Sequence, residues 1–154
     1  MKLRNMNDKI LFLKIKDPYG DFSNFSPHPV VINGKTYITT ETFYQSQKYA
    51  GTEYEEVVRL TKGPRAAAKI GRDKNLPLRK DWDLIKENIM KEALLAKIDQ
   101  HPKIKDLLLS TGNSIIVEHT ENDNYWADGG DGSGKNRLGI LWMEIREELR
   151  KNVK

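Results

Sequence analysis

The sequence contains no cysteine among its 154 residues. This absence excludes disulfide bonds, thiolate metal sites and a thiol nucleophile. Long apolar runs are also missing, because no stretch approaches the ~20 residues that a membrane-spanning helix needs. Residues 1–20 lack the apolar core that is typical of a secretory signal. We therefore expect a cytoplasmic enzyme or binding module that has no membrane partner.

The positive charge is unevenly distributed along the chain. Residues 1–80 carry 15 Lys and Arg against 8 Asp and Glu, whereas residues 81–154 carry 11 against 14. Eight basic residues fall within 59–80, where Asp73 is the one acidic residue. This basic stretch indicates either a solvated face or a field that attracts an anionic ligand, such as a phosphorylated metabolite or nucleic acid. Aromatic residues are not interleaved through it, so stacking on single strands is poorly supported.

The spacing of apolar residues predicts one helix-rich α+β domain with a small, mostly antiparallel sheet over residues 1–154. An N-terminal strand region is expected over 1–18, with its strand at 9–16. Asn33-Gly34 lies between β-forming residues and predicts a hairpin. Thr39 or Thr40 is expected to cap a helix that begins at Glu41 and stops at Gly51. The remaining elements are expected to be helices over 53–61, 64–71, 81–100, 102–110 and 137–150, and a strand over 114–120.

The segment "NDNYWADGGDGSGKNRLG" (122–139) has an unusual content of Asp, Asn and Gly. Residues 129–136 nearly match a phosphate-binding loop, but Asn136 replaces the hydroxyl residue that binds magnesium and no buried strand precedes the loop. The loop also lacks the alternating oxygen ligands of a calcium site. The three histidines, His28, His101 and His119, have no metal-ligand spacing. We therefore predict no metal and no cofactor.

Two interpretations of this loop remain open. Asp and Gly are ordinary turn formers, so the segment could be a plain connection. Alternatively, the backbone amides of "GSGKN", which stand just before a helix, would suit a phosphate without a metal. Asp123 and Asp128 could then meet a sugar hydroxyl or a developing cation.

The helix that begins at Glu41 carries a second candidate site. Glu41, Tyr44, Gln45 and Lys48 share one face, because positions three, four and seven apart align on a helix. A Glu and a Lys at such spacing are usually an exposed, solubilising pair. In a pocket, however, a partly desolvated Lys48 would have a lowered pKa and be nucleophilic toward a carbonyl. Glu41 could instead act as an acid, a base or a stabiliser of positive charge.

Two further segments contain candidate binding residues. "DFSNFSP" places Asn24 and Phe25 in a tight polar loop, where they could recognise an amide and stack on a base. The alternative is a turn in which Phe22 and Phe25 are core anchors. Trp82 begins a helix beside the basic stretch, and it could either stack on a base or fill a core position.

Together, these segments resemble the NADAR (YbiA-like) family over nearly all of residues 19–150. The segments that carry the resemblance are "GDFSNFSPHPV", "TTETFYQSQKY", "GRDKNLPLRKDWD", "VEHTENDNYWADGGDGSGKNRLG" and "LGILWMEIREELR". The resemblance implies a compact α+β domain that cleaves N-glycosidic bonds. The implied substrates are phosphoribosylamino-pyrimidine intermediates of riboflavin synthesis or ADP-ribose attached to guanine bases of a nucleic acid.

The resemblance also implies a set of pocket residues. The implied catalytic residues are Lys48, Glu41 and Asp128. The implied substrate-binding residues are Asn24, Phe25, Gln45, Arg72, Trp82, Asp123, Trp126, Gly129 and Asn136. One departure is visible, because Ala127 stands where the family pattern leads us to expect glycine, and the added methyl group affects the local turn.

Two catalytic routes are compatible with this set. In direct hydrolysis, Asp128 or Glu41 would stabilise the positive charge on the anomeric carbon and activate water. In the second route, the ring-opened glycosylamine is an imine that Lys48 attacks to give a Schiff base, while Glu41 moves protons. We favour the lysine route because both residues belong to one motif. The alternatives are a non-catalytic module that binds ADP-ribose and, less well supported, a nucleic-acid-binding module.

Overall fold

The computed structural model describes residues 8–152. The strands of this part are β1 (Lys9–Phe12), β2 (Val30–Ile32), β3 (Lys35–Tyr37) and β4 (Ile115–Glu118). Its helices are α1 (Thr40–Gln47), α2 (Glu53–Arg59), α3 (Pro64–Gly71), α4 (Trp82–Gln100), α5 (Pro102–Ser110) and α6 (Arg137–Asn152), with a short 3-10 helix at Gly20–Phe22. The predicted helix-rich α+β class is therefore confirmed.

The chain divides into two compact units. One unit consists of residues 24–101, and the other combines the described parts of residues 1–23 and 102–154. The organisation as one domain over 1–154 stays a prediction. Residues 1–7, which begin the predicted N-terminal strand region, lie outside the described residues, as do residues 153–154.

The predicted single, mostly antiparallel sheet is wrong. The described strands form two separate two-stranded sheets, in which β2 and β3 pair antiparallel and β1 and β4 pair parallel. The antiparallel pair is local, since a two-residue turn connects its strands. The parallel pair joins Lys9 to Ile115 across about a hundred residues of chain, whereas parallel strands in general need a crossover of about a dozen residues or more. Local sequence patterns contain no information about that pairing.

The predicted strand at 9–16 is also shorter than expected. β1 ends at Phe12, after which the Asp17 carboxylate accepts hydrogen bonds from the amides of Leu13 (3.1 Å) and Lys14 (2.8 Å). These bonds turn the chain away from the strand direction, because the side chain replaces the backbone partners of a ladder.

The unit of residues 24–101 is built around α1, which contacts α2, α3 and α4. The predicted hairpin is confirmed, and Asn33 (φ 53°) and Gly34 (φ 77°) have the left-handed conformation that its tight turn requires. Thr39 caps α1 by accepting a hydrogen bond from the Thr42 amide at 3.1 Å. Residues of the hairpin, α1 and α4 form one buried cluster, namely Val30, Ile32, Tyr37, Phe43 and Ala93. α1 is thus held on several sides, and its buried positions are fixed.

In the other unit, α6 packs against β4. Trp142 of α6 is fully buried, lies 5.2 Å from the Phe22 ring between centroids, and donates a hydrogen bond to the Phe22 carbonyl at 3.1 Å. Arg146 is also buried, and its guanidinium donates to the Thr111 hydroxyl and the Ser114 carbonyl. These contacts fix the helix that follows the 122–139 loop.

None of the helices within residues 8–152 has the length and apolar content needed to cross a lipid bilayer.

Candidate active site

The predicted polar face of α1 is present and largely buried. Glu41 and Gln45 are 8% and 7% exposed. The Gln45 amide nitrogen donates to the Glu41 carboxylate at 3.1 Å, as the four-residue spacing on a helix allows. The interpretation of this face as an exposed, solubilising surface is therefore wrong for these two residues.

Lys48 lies at the end of α1, where its amine is partly enclosed. Its Nζ donates to the Gly71 carbonyl at 2.9 Å and lies 5.7 Å and 5.9 Å from the ring centroids of Tyr44 and Trp82. Burial lowers the pKa of Lys48 below its ordinary value of 10.5, the charge of Glu41 opposes this shift, and the charges of two nearby cations add to it. The lowered pKa increases the neutral, nucleophilic fraction of the amine at a given pH.

Lys48 borders a cavity of about 230 Å³. The cavity is lined by Lys48, Tyr49, Gly71, Arg72, Asp73, Lys74, Leu76, Leu78 and Trp82. Trp82 is 6% exposed and packs against Tyr44, with 5.1 Å between ring centroids, so it forms a wall of the cavity. The cavity thus combines a desolvated amine, an apolar wall and two further cations.

Some residues of the basic stretch form ion pairs with nearby carboxylates, and others line this cavity. Arg59 binds the Glu56 carboxylate at 2.6 Å, and Arg79 binds Asp81 at 2.7 Å. Arg72 and Lys74, by contrast, line the cavity. Part of the stretch is therefore an ordinary surface with ion pairs, and part is placed to attract an anion.

The polar atoms of the Asn24 side chain contact other residues of the protein. It is 6% exposed, its Oδ1 accepts from the Thr40 hydroxyl at 2.8 Å, and its Nδ2 lies 3.2 Å from the Met90 sulfur. The Asn24 carbonyl also accepts from the Glu41 amide at 3.1 Å. Asn24 therefore holds the first turn of α1 in place. Phe25 is 39% exposed, so the interpretation of this residue as a core anchor is wrong.

The Asp128 carboxylate is turned inward onto its own loop. Its Oδ1 accepts from the amides of Thr120 (3.1 Å) and Gly130 (2.9 Å), and its Oδ2 lies 2.7 Å from Nδ1 of His119. Burial raises the pKa of Asp128, but the bonds from His119 and the two amides outweigh burial, and the net shift is downward. Asp128 is thus held as an anion.

The expected cradle of free amides in "GSGKN" is wrong. The amides of Gly134, Lys135 and Asn136 donate to the carbonyls of Asp128, Asn124 and Ala127 at 2.7, 2.8 and 3.0 Å. The Ser133 amide donates to the Asp131 carboxylate at 2.9 Å. These amides are occupied because the loop folds back on itself, which the sequence pattern does not reveal.

Asn136 completes the edge of β4 with its side chain. Its Oδ1 accepts from the Glu118 amide at 3.1 Å, and its Nδ2 donates to the Ile116 carbonyl at 2.9 Å. The residue has φ 50°, a left-handed conformation that Asn tolerates better than most residues. Asn136 therefore replaces a strand partner, and this role explains its position better than contact with a ligand.

Asp123, Trp126 and Gly129 belong to the first half of the loop. One oxygen of Asp123 accepts from the amides of Tyr125 and Trp126, both at 2.8 Å, and the Asp123 carbonyl accepts from Gly129. A polar cavity of about 380 Å³ lies beside them, lined by Glu121, Asn122, Asp123, Asn124, Gly129 and Ser133. Ala127 is fully buried without a positive φ, so the local backbone accommodates its methyl group. The described residues contain no group of three or more His, Cys, Asp or Glu side chains that could hold a metal.

Two residues that contact the candidate side chains Lys48 and Asp128 could not be identified from the sequence. Gly71 supplies the carbonyl that binds Lys48, but a glycine at a helix end is indistinguishable from an ordinary helix stop. His119 contacts Asp128, nine positions away, and no local pattern couples the two. Each unit thus contains its own candidates. Residues 24–101 contain Asn24, Phe25, Glu41, Gln45, Lys48, Arg72 and Trp82, and the other unit contains Asp123, Trp126, Asp128, Gly129 and Asn136.

Comparisons with known proteins agree with the resemblance seen in the sequence. The chain is 50% identical to N-glycosidase YbiA of Escherichia coli, over 94% of this chain and 91% of that protein. It matches the NMR structure of E. coli YbiA with a TM-score of 0.87 and 49% identity, covering 94% of this chain and 86% of that one. N-glycosidase Npun_R5314 of Nostoc punctiforme is 42% identical over 92% of each chain. The riboflavin biosynthesis protein PYRR of Zea mays is 37% identical over 91% of this chain and 25% of that protein. The NADAR domain model matches residues 11–150, and the chain belongs to the NADAR family.

Proposed function

We propose that this chain is an N-glycosidase and that Lys48 is its nucleophile. The relatives from E. coli and N. punctiforme are named N-glycosidases and match nearly the full chain. The single observation that supports the role of Lys48 is its position, because its amine is desolvated and the residue lines a cavity together with Trp82 and Arg72. An ordinary surface lysine has neither property.

The proposed reaction begins with a glycosylamine whose linking nitrogen carries a proton. Opening of the sugar ring places a C=N bond at the anomeric carbon. The neutral Lys48 amine adds to this carbon, a proton passes to the departing nitrogen, and the amine leaves as the Lys48 Schiff base forms. Water then adds to the Schiff base and releases the sugar as its aldehyde, which regenerates Lys48. The sum is hydrolysis of one C–N bond.

Glu41 is suited to move the protons in this sequence. It is buried on the same helix as Lys48, and its carboxylate is oriented by the hydrogen bond from Gln45. A carboxylate in a dry site can take a proton from the attacking amine and deliver one to the leaving nitrogen. Direct hydrolysis through Asp128 has less support, because His119 and two backbone amides already engage its oxygens.

The substrate class follows from the cations of the cavity. Arg72 and Lys74 line it together with Lys48, and such a set favours a substrate that carries phosphate. We infer a phosphorylated ribosylamine in the cytoplasm, either a pyrimidine intermediate related to riboflavin or ADP-ribose on guanine. The maize relative is named a riboflavin biosynthesis protein, and this name supports the first choice.

Borohydride trapping tests the lysine route. Enzyme and a phosphoribosylamino-pyrimidine are mixed with sodium borohydride, and the protein is digested and measured by mass spectrometry. We expect a reduced sugar adduct on the peptide that contains Lys48, and no adduct in Lys48→Ala. Turnover of the substrate without any adduct would favour direct hydrolysis. Binding without release of base from any glycosylamine would instead identify a non-catalytic ADP-ribose-binding module.

A further inference from the structure

Gln45 has a buried oxygen that lacks a hydrogen-bond partner. Its Nε2 donates to Glu41, whereas its Oε1 is buried without a donor. A buried acceptor without a donor is destabilising, and most such groups in proteins are paired. An unpaired amide oxygen close to a reactive amine therefore points to a role in the reaction rather than in folding.

Gly71 lies next to both this oxygen and the Lys48 amine. A Cβ atom added at residue 71 would lie 1.8 Å from Gln45 Oε1 and 3.3 Å from Lys48 Nζ. The small volume that glycine leaves open is thus filled by the Gln45 amide, next to the amine. The Gly71 carbonyl accepts the hydrogen bond from Lys48 Nζ at 2.9 Å. One residue therefore controls the surroundings of Lys48 through both its backbone and its missing side chain.

We propose that Gly71 is a positioning residue that directs the Lys48 lone pair into the cavity, an inference that rests on the proposed function of Lys48. A neutral primary amine has two N–H bonds and one lone pair. The Gly71 carbonyl accepts one of these N–H bonds, and the Gln45 amide, admitted by the absence of a side chain at residue 71, occupies the space next to the amine. These two neighbours restrict the amine, and the lone pair is left for the cavity that Lys48 and Gly71 both line.

The variant Gly71→Ala tests this role, and we expect the variant to fold. Its methyl group would meet the far end of the flexible Gln45 side chain, which can swing away. We expect kcat to fall by roughly 10- to 100-fold with little change in KM, because a displaced nucleophile loses alignment rather than binding. The acid limb of the pH–rate profile is expected to move to higher pH, since crowding pushes the Lys48 amine toward water and raises its pKa.

Gly63→Ala is the matched control. Gly63 precedes α3, which Gly71 ends, and it has an extended φ of −173° with open space where a Cβ would lie. We expect its kcat, its KM and its pH profile to match those of the wild type. If Gly71→Ala behaves like Gly63→Ala, the positioning role is overturned.

The double variant Gln45→Ala/Gly71→Ala shows whether the effect passes through Gln45. Removal of the Gln45 amide makes room for the new methyl group, so the double variant is expected to have the same kcat as Gln45→Ala alone. A double variant whose kcat is lowered by the product of the two single-variant losses would contradict the proposal. Wild-type enzyme that turns over substrate without an adduct on Lys48 would instead refute the proposed nucleophilic role of Lys48, and the two failures are therefore distinguishable.

Discussion

The proposed role of the half-buried Lys48 as nucleophile predicts that the reaction rate depends on pH in a defined direction. Its folded pKa lies below 10.5 because of burial, so the neutral amine becomes populated at lower pH than in a free lysine. We expect the rate of borohydride-trapped adduct formation to rise with pH and to level off before pH 10.5. Single-turnover trapping at a series of pH values measures this limb. Lys48→Arg should form no adduct, because guanidinium stays charged throughout the range.

Asp128 is expected to stabilise the protein in two ways, through the negative charge of its side chain and through the hydrogen bonds that its Oδ1 accepts. Asp128→Asn keeps an Oδ1 that can accept from Thr120 and Gly130, whereas Asp128→Ala leaves both amides without this acceptor. We expect the alanine variant to lose about 1–3 kcal/mol of unfolding free energy and the asparagine variant to lose less. Urea denaturation at pH 7 measures both. Equal losses in the two variants would contradict a role for the amide bonds.

The Asp128 charge also has a predictable pH signature. Its folded pKa is lowered from 3.8, so the unfolded state binds the proton more tightly. The stabilisation is fully present above the unfolded value and is lost as the pH falls through the lower, folded value. The difference in unfolding free energy between the wild type and Asp128→Asn should therefore be constant near neutral pH and shrink below about pH 4. A difference that does not shrink between pH 7 and pH 2 would contradict this assignment.

At the residue scale, the shared polar face of α1 could be predicted from the sequence, whereas the contacts of the loop could not. The spacing of Glu41, Gln45 and Lys48 determines their shared face because helix geometry is local. Asp128 and Asn136 look equally suited to a ligand. Their bonds to Thr120, Gly130, Ile116 and Glu118 depend on how the loop returns to β4, and no local pattern contains that information.

At the scale of elements, the 122–139 loop depends on glycine for two separable reasons. Gly130 (φ 85°) and Gly132 (φ 87°) both have a left-handed backbone. A Cβ at Gly130 would lie 2.9 Å from Cβ and 3.0 Å from Cα of Glu121, whereas a Cβ at Gly132 meets nothing within 4 Å. Gly132→Ala should therefore cost only the backbone strain of about 1–2 kcal/mol, and Gly130→Ala should cost clearly more. Thermal unfolding of the matched pair measures the difference, and equal melting temperatures would contradict the steric contribution.

Elements whose determinants are local could be predicted, and the pairing of distant strands could not. The hairpin turn at Asn33 and Gly34 and the Thr39 cap depend on residues within four positions of each other, and both predictions are confirmed. The β1–β4 pair depends on the intervening chain, which brings distant segments together. The parallel sheet was therefore missed, and the Asp17 turn that shortens β1 was missed because it competes with an otherwise acceptable strand pattern.

At the scale of the whole molecule, the family could be predicted from sequence because five long motifs occur in one order. The matched region, residues 11–150, includes both compact units. Such a match depends on many residues at once, so it tolerates local departures such as Ala127. The division of candidate residues between the two units was not predicted, because the chain leaves one unit after residue 23 and returns after residue 101.

The choice of catalytic route determines which substrates the whole protein can cleave. The Schiff-base route needs a linking nitrogen with a proton, because only such a glycosylamine can open to a neutral imine for Lys48 to attack. Ribosides joined through a fully substituted ring nitrogen, such as uridine 5′-phosphate, cannot open in this way. We therefore expect release of base from a phosphoribosylamino-pyrimidine and none from uridine 5′-phosphate, which carries the same sugar and phosphate, when both are followed by chromatography. ADP-ribose linked to the exocyclic amine of guanine should be chemically competent as well, so its rate relative to the pyrimidine measures how the cavity selects among competent substrates. Cleavage of uridine 5′-phosphate at a comparable rate would require direct stabilisation of the anomeric cation and would transfer the catalytic role from Lys48 to a carboxylate.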